Sequence, residues 1–352
     1  MSFEVRIEDS DVAFACNDGQ TLVDAALAAG VELPYSCRKG VCGNCAGRVM
    51  AGDVQPLPGA ALRNEHCGEG ALLLCRATPT SDVRIAPTSW RRVDHFAPRR
   101  VAAKVYRVAR ACSDVSIVYL RLPAGTRVKF RAGQYLQVLL EDGQRRSYSM
   151  ANPPHENDSL VLHVRHLEGG LFSGRVAALQ AGDVLNVEAP LGSFSLHDED
   201  TGPLLFVAGG TGFAPVKAML DDIVKRAIQR PATLLWGVRR AEHLYAMAAV
   251  ERWQKLLPGF RFQAVLSDAP APPGDTITDT ITAAITGAIT GATAGTATGL
   301  VHQAIAALCP SLAGHTLYCC GAPPMVAAVR TTALALGLAP AHFHCDVFVT
   351  SA

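Results

Sequence analysis

Cys37-Arg38-Lys39-Gly40-Val41-Cys42-Gly43-Asn44-Cys45 is the stretch that decides the fold of the N-terminal part of this chain. Its cysteines stand as C-x4-C-x2-C, and 29 residues separate Cys45 from Cys75. Four thiolates at this spacing hold the two irons of a plant-type [2Fe–2S] cluster. Gly40 and Gly43 let the backbone approach closely, so that N–H groups can point at sulfur and stabilise negative charge. Cys75 follows the apolar run ALLL, as a ligand on a packed element should. Zinc is the rival reading, but structural zinc sites use closely spaced cysteine pairs on both sides, and here the second half is a single residue. Cys67, in EHCGEG, reads as an unligated loop residue. The other cysteines, 16, 112, 309, 319, 320 and 345, read as small buried residues.

Working outward, FEVRI and VAFAC alternate as strands, and Thr21-Leu22-Val23-Asp24 reads as a capping box opening a helix that stops at Gly30. Short strands around one helix imply a small α+β domain over 1–92. Pro87 and the basic run to Arg100 read as a solvated linker beside an acidic domain, since residues 1–90 carry eleven Asp/Glu against seven Lys/Arg. From 98 to 200, VAAKVYRV, VSIVYLRL, GQYLQVLL, RSYSM, LVLHVRHL and VLNVEAP succeed one another with Gly, Pro and Asp between them, which predicts an antiparallel β-barrel. From 203 to 352 the rhythm changes. LLFVA, a helix from Pro215 to about Ile228, TLLWGV, a helix near 242–256, FQAVLS and TLYCC read as βαβ units on a parallel sheet. Residues 276–299 form six tetrads, TITD, TITA, AITG, AITG, ATAG and TATG. A recurring glycine opposes a helix and the alternation is weak for a strand, so the segment reads as an expanded surface loop rather than a lid.

The chain has 352 residues, 49% hydrophobic and 18% charged, with net charge +1. It is globular, and its charge gives no argument for a nucleic-acid partner. The N-terminus lacks the basic and apolar regions of a signal peptide, and no run reaches the roughly 18 apolar residues of a membrane helix. A cytoplasmic protein without a membrane partner is expected. Its eleven cysteines then suggest metal or redox chemistry before disulfides.

Arg146-Ser147-Tyr148-Ser149 follows a strand as R-x-Y-S. Downstream, LHVRHLEGGLFS places Gly169, Gly170 and Ser173 at the start of an expected helix, whose N–H groups suit a pyrophosphate. Arg146 can offer bidentate contacts to the same phosphates, and Tyr148 a flat face to a flavin. Gly209-Gly210-Thr211-Gly212-Phe213-Ala214-Pro215 joins a strand to a helix, and Cys320-Gly321-Ala322-Pro323-Pro324-Met325 is a second such junction. Neither is a full dinucleotide fingerprint, but both lie at strand ends, where nucleotides bind in open α/β sheets.

With these motifs in this order, the chain resembles the ferredoxin-reductase superfamily with an N-terminal ferredoxin domain. It is similar to reductase components of bacterial aromatic-ring oxygenases, and still more closely to CDP-6-deoxy-3,4-glucoseen reductases, through RRSYSMANPPH, LHVRHLEGGLF, PLGSF, GGTGFAPVKA and FHCDVF. The resemblance covers nearly the whole chain, the tetrads excepted. It implies a β-grasp ferredoxin domain, FAD, a [2Fe–2S] cluster and NADH, while Arg239-Arg240, after the second strand of the last block, could accommodate a 2′-phosphate and so admit NADPH. Electrons would pass from NADH to FAD to the cluster and on to a separate protein, an oxygenase component or a deoxysugar dehydrase. It further implies that Arg146, Ser147, Tyr148 and Ser149 bind flavin, with Ser149 near its reactive nitrogen. His163, Val164 and Arg165 would line the ribityl and phosphate region, and Gly169, Gly170 and Ser173 the pyrophosphate. Gly210, Thr211, Gly212, Cys320 and Gly321 would hold the nicotinamide nucleotide, and Asp346 and Phe348 would lie near the flavin ring. Cys319 and Cys345 depart from the pattern. A redox-sensing or scaffold protein whose centres do not turn over is the alternative, and the complete flavin and nicotinamide motifs oppose it.

Overall fold

The computed structural model describes residues 1–64, 67–92, 98–268 and 295–349. Contacts divide the chain into two units, Met1–Ala97 with Gly192–Phe194, and Pro98–Leu191 with Ser195–Ala352.

In the first unit, β1 (Ser2–Ile7) pairs antiparallel with β2 (Ala13–Asn17), and alternation turns Val5, Ile7 and Phe14 inward. Helix α1 (Leu22–Ala28) starts as its residues require. Thr21 Oγ1 accepts from the Asp24 N–H at 3.1 Å and donates to the Asp24 carboxylate at 2.7 Å. Gly30, at φ +73°, ends the turn that follows. Leu22, Val23, Ala25 and Ala26 bury the inner helix face. The short strands are β3 (Val31–Glu32), β4 (Ala46–Ala51), β5 (Val54–Pro56), β6 (Ala71–Leu73), β7 (Ala77–Pro79), β8 (Val83–Pro87) and β9 (Arg91–Arg92). The main sheet runs β2-β1-β8-β4-β6 with β1 and β8 parallel, the mixed sheet and single helix of a β-grasp. The basic run is not all linker. Arg91 and Arg92 form β9 against β3, and Arg91 Nε donates to the buried Glu32 carboxylate at 2.7 Å. A buried acid needs a partner, and this arginine is it.

The second unit begins with six antiparallel strands: β10 (Arg99–Cys112), β11 (Val115–Arg121), β12 (Tyr135–Leu139), β13 (Arg145–Ser149), β14 (Ser159–Arg165) and β15 (Val184–Leu191). Their order is β13-β12-β15-β10-β11-β14, and an antiparallel bridge from Met150 to Leu162 joins the two outer strands, closing the barrel. The helix expected after Gly170 does not form. Residues 168–175 are successive turns leading into one 3₁₀ turn, Val176–Ala178. Gly169, Gly170 and Gly174 fall within six positions, and each glycine costs a helix about 1 kcal/mol relative to alanine.

A parallel sheet follows, built from β16 (Leu204–Gly209), β17 (Ala232–Val238), β18 (Arg261–Leu266), β19 (Gly295–Thr298), β20 (Thr316–Gly321) and β21 (Phe343–Val347). Its helices are α2 (Phe213–Lys225), α3 (Met247–Leu256), α4 (Val301–Leu308) and α5 (Pro323–Ala335). The order β19-β18-β17-β16-β20-β21 makes the chain reverse direction beside β16, so the carboxyl ends of β16 and β20 flank a switch point. The tetrad segment is also not wholly a loop: its tail, Gly295–Thr298, is edge strand β19, paired with Gln263–Leu266. Residues 276–294 lie outside the described residues. Among the described residues no helix is long and apolar enough to cross a membrane.

Candidate functional site

The cysteine loop brings its four expected ligands together in two close pairs. Cys45 Sγ lies 3.1 Å from Cys75 Sγ, and Cys37 is hydrogen-bonded to Cys42. The Lys39 N–H reaches Cys37 Sγ at 3.4 Å. The Cys42 contact draws the Cys37 thiol down to about 5 against its own burial, with N–H groups of Lys39, Val41 and Cys42 helping. Cys75 is also lowered, through Cys45, while Cys42 and Cys45 are raised as the proton-holding partners. Gly40 and Gly43 adopt φ +81° and +69°, the left-handed conformation that folds the loop around the sulfurs. Half-buried or buried thiols with backbone N–H groups aimed at them are what an anionic metal–sulfur cluster requires, so the donor set fits. Of the residual cysteines, 16, 319, 320 and 345 are buried, while 112 and 309 are half-buried.

On β13, strand periodicity puts Arg146 and Tyr148 on one face, with Ser147 exposed on the other. Tyr148 stacks obliquely on Phe172, ring centroids 5.2 Å apart, and burial pushes its hydroxyl up to about 12. It is a neutral ring surface at any working pH. Gly170 has no room for a side chain, because a Cβ there would stand 2.1 Å from Ser173 Oγ. Among the described residues, the N–H groups of 171–173 have no backbone partner. A glycine turn with unpaired N–H groups can therefore hold an anion without the expected helix. Arg165 pairs with Asp114 at 3.0 Å, and its guanidinium lies where a Cβ on Gly210 would be, 2.8 Å from Nη2. That contact joins the end of β14 to the glycine junction of the parallel sheet.

His163 and Val164 bury their side chains. Val164 is in the barrel core. His163 is buried, with Nδ1 3.0 Å from the Tyr245 hydroxyl and its ring stacked on Phe213. Burial, and secondarily the charge of Lys217, lowers its pKa to about 3, so it is neutral. Tyr245 was not expected in the site; it sits in EHLYA, between β17 and α3, with no motif to mark it.

At the switch point, Gly212 allows α2 to start against β20, since a Cβ would stand 2.2 Å from the Cys320 carbonyl oxygen. Met325 fills the space over two glycines, its sulfur 2.5 Å from a Cβ built on Gly209 and its methyl 2.6 Å from one on Gly321. Cys320 pairs in register with Asp346. Burial, then the Asp346 charge, raises Cys320 well above its ordinary value, so it is a neutral thiol. Ser149 and Asp346 are both buried, and Ser149 Oγ donates to Asp346 Oδ2 at 3.4 Å across the barrel and the sheet. The Phe348 N–H donates to the Gly321 carbonyl at 2.9 Å, tying the C-terminal segment to the second glycine junction. Thr211 lies in the 3₁₀ turn Gly210–Gly212 between β16 and α2.

Comparison with known proteins matches three families in succession: a 2Fe-2S iron-sulfur cluster binding domain over residues 5–80, an oxidoreductase FAD-binding domain over 102–196 and an oxidoreductase NAD-binding domain over 206–331. The chain is 48% identical to reductase component 1 of terephthalate 1,2-dioxygenase from Comamonas sp, covering 100% of this chain and 98% of that one. It is 33% identical to the CDP-6-deoxy-L-threo-D-glycero-4-hexulose-3-dehydrase reductase of Yersinia pseudotuberculosis over 100% of both. The nearer likeness is thus on the oxygenase side, the reverse of the order drawn from the motifs. Among solved structures, the Amycolatopsis cytochrome P450 reductase GcoB superposes with a TM-score of 0.75 at 32% identity, covering 98% of each chain. Whole-length identity, the three domains and the assembled cysteine and glycine sites place this chain in the ferredoxin-reductase superfamily, as an NAD(P)H-dependent iron–sulfur flavoprotein reductase that delivers electrons to a separate protein.

Proposed function

We propose that the acceptor is the oxygenase component of an aromatic-ring dioxygenase acting on an aromatic carboxylate, with the reductase working in the cytoplasm. The observation that carries this reading is the 48% identity, over the whole chain, with a terephthalate dioxygenase reductase. When bound, FAD supplies hydride acceptance from NADH, and the [2Fe–2S] cluster supplies one-electron transfer. The domains are 1–92, 98–200 and 203–352.

Cys37, Cys42, Cys45 and Cys75 hold the cluster. Arg146 and the turn at Gly169, Gly170 and Ser173 neutralise the flavin pyrophosphate, with Arg165 bridging to the nicotinamide nucleotide. Tyr148 gives its apolar face to the flavin, while Ser147, His163 and Val164 contribute through backbone and packing. Gly210, Thr211, Gly212, Cys320 and Gly321 receive the nicotinamide nucleotide. Ser149 keeps its hydroxyl proton directed at Asp346 Oδ2, which orients Oγ beside the reacting ring. Cys320 stays protonated and adds no charge there. Phe348 covers the junction when no nicotinamide is present.

The test is reconstitution. With NADH, terephthalate and a purified terephthalate dioxygenase component, this reductase should support oxygen uptake that requires all three. Failure with that component, together with turnover of a CDP-hexulose dehydrase, would move the acceptor to the deoxysugar class.

A further inference from the structure

Beyond the electron path, we propose that His197, Asp200 and His344 form a second metal site, for a single divalent cation of the zinc class. One donor atom from each of the three lies within 4.8 Å of the other two. Two imidazole nitrogens and a carboxylate oxygen are a zinc ligand set, and three protein ligands leave a fourth position for water.

The two atoms that face each other most closely are unsatisfied. Asp200 Oδ2 and His344 Nε2 are both buried, and neither has a hydrogen-bond partner. They stand 3.8 Å apart, beyond hydrogen-bond reach. Adjacent ligands on a tetrahedral zinc are about 3.3 Å apart for bonds near 2.0–2.1 Å, so a small approach of the two side chains would seat the ion. A cation between them would satisfy both atoms at once, better than their long mutual ion pair does.

Surrounding contacts hold the donors as ligands are usually held. Asp200 Oδ1 takes His342 Nδ1 at 3.2 Å, and His197 Nδ1 lies 3.3 Å from Glu199 Oε1. A carboxylate beside the second nitrogen of an imidazole, as at His197, orients the ring and raises its basicity, while His342 fixes the position of the Asp200 carboxylate. His344 stacks on His197, at 4.0 Å between ring centroids, and also meets Tyr318, at 5.0 Å. Arg230 brings an opposing charge nearby, engaged with the Gly202 carbonyl at 2.7 Å and Thr316 Oγ1 at 3.2 Å. Three protein ligands beside a nearby cation predict weaker binding than a four-ligand structural site, at about the micromolar level. The ligands come from the segment before β16 and from edge strand β21, so an ion here ties β21 to that segment two residues from Asp346.

The test uses the holoprotein, with FAD and cluster in place, after mild chelation. Zn2+ binding is followed by calorimetry and by competition with a chromophoric zinc indicator. One equivalent per chain should bind, and Asp200→Asn and His344→Gln should each weaken it by roughly tenfold or more. Iron content and flavin absorbance, measured on the same samples, should stay at wild-type levels, which separates loss of the site from loss of the fold. If either variant does lose its flavin, the other carries the comparison. No uptake by the wild-type protein at 100-fold excess over the expected micromolar level would show the cluster to be an ion-pair network only. Unchanged uptake in both variants would place the zinc elsewhere. Either result overturns the proposal.

Discussion

Cys75 and Cys67 are both available thiols in one small domain, yet only Cys75 meets another ligand, with its sulfur 3.1 Å from that of Cys45. Replacing Cys75 by Ser should therefore remove or badly destabilise the cluster, while Cys67→Ser should leave two irons and two sulfides per chain by chemical analysis and visible absorbance. Loss of iron in the Cys67 variant would reassign the fourth ligand. His163 gives a prediction of another kind. Its folded pKa, about 3, lies below the ordinary histidine value because the ring is buried and, secondarily, because Lys217 adds a positive charge nearby. The unfolded chain then binds more protons than the folded one between about pH 6.5 and pH 3, so stability rises with pH across that window. From pH 7 down to pH 5 the loss from this group is about 2 kcal/mol. His163→Gln, which can keep a bond to the Tyr245 hydroxyl, should flatten the pH dependence of thermal unfolding in that range. An unaltered profile would mean that His163 is protonated in the fold.

At the scale of elements, the tetrad segment divides in two. Gly295–Thr298 is a strand because the edge of β18 offers unpaired backbone groups, and a Thr/Ala-rich stretch can pair there whatever its composition. Shortening 276–294 to a brief turn, with 295–299 kept, should leave NADH oxidation within about twofold and stability little changed, since closure entropy grows slowly with loop length. Removing 295–298 as well should lower the thermal midpoint, because β18 loses its neighbour and α4 its entry. Val301 at the start of α4 packs over Gly237, where a Cβ would stand 3.3 Å from the Val301 Cβ. A tenfold rise in the KM for NADH from the first deletion would instead make the segment a lid. The glycine turn after β14 carries the complementary lesson. The sequence predicts a helix opening at Gly169, Gly170 and Ser173, but three glycines make turns cheaper, and among the described residues the N–H groups of 171–173 are left without backbone partners all the same.

At the scale of the molecule, the cysteine ligands lie in one unit and the flavin and nicotinamide residues in the other. Cys42→Ser should abolish the cluster while leaving FAD bound. That variant should still reduce ferricyanide with NADH, because a small acceptor can take electrons from reduced flavin directly. It should lose most of its cytochrome c reduction, which needs the cluster. Arg146→Ala or Tyr148→Ala should depress both activities together, with partial recovery on adding FAD. Equal loss of both activities in the Cys42 variant, with FAD retained, would refute the linear electron path.

By itself the sequence determined what depends on neighbours along the chain. The cysteine loop, the Thr21–Asp24 cap and the glycine junctions at 209–212 and 320–321 could be placed because spacing and glycine conformation are local properties. The three-domain order followed from hydrophobic period. What only the tertiary structure decided depends on which strands become neighbours. The Ser149–Asp346 contact spans 197 residues, the His163–Tyr245 contact 82, and Arg91 finds Glu32 across 59. His197, Asp200 and His344 meet because β21 pairs with β20 at the edge of the sheet, beside the segment that enters β16. No motif spacing encodes such meetings. They are set by the packing of buried strands, where an unpaired polar group is costly enough to select its partner from anywhere in the chain.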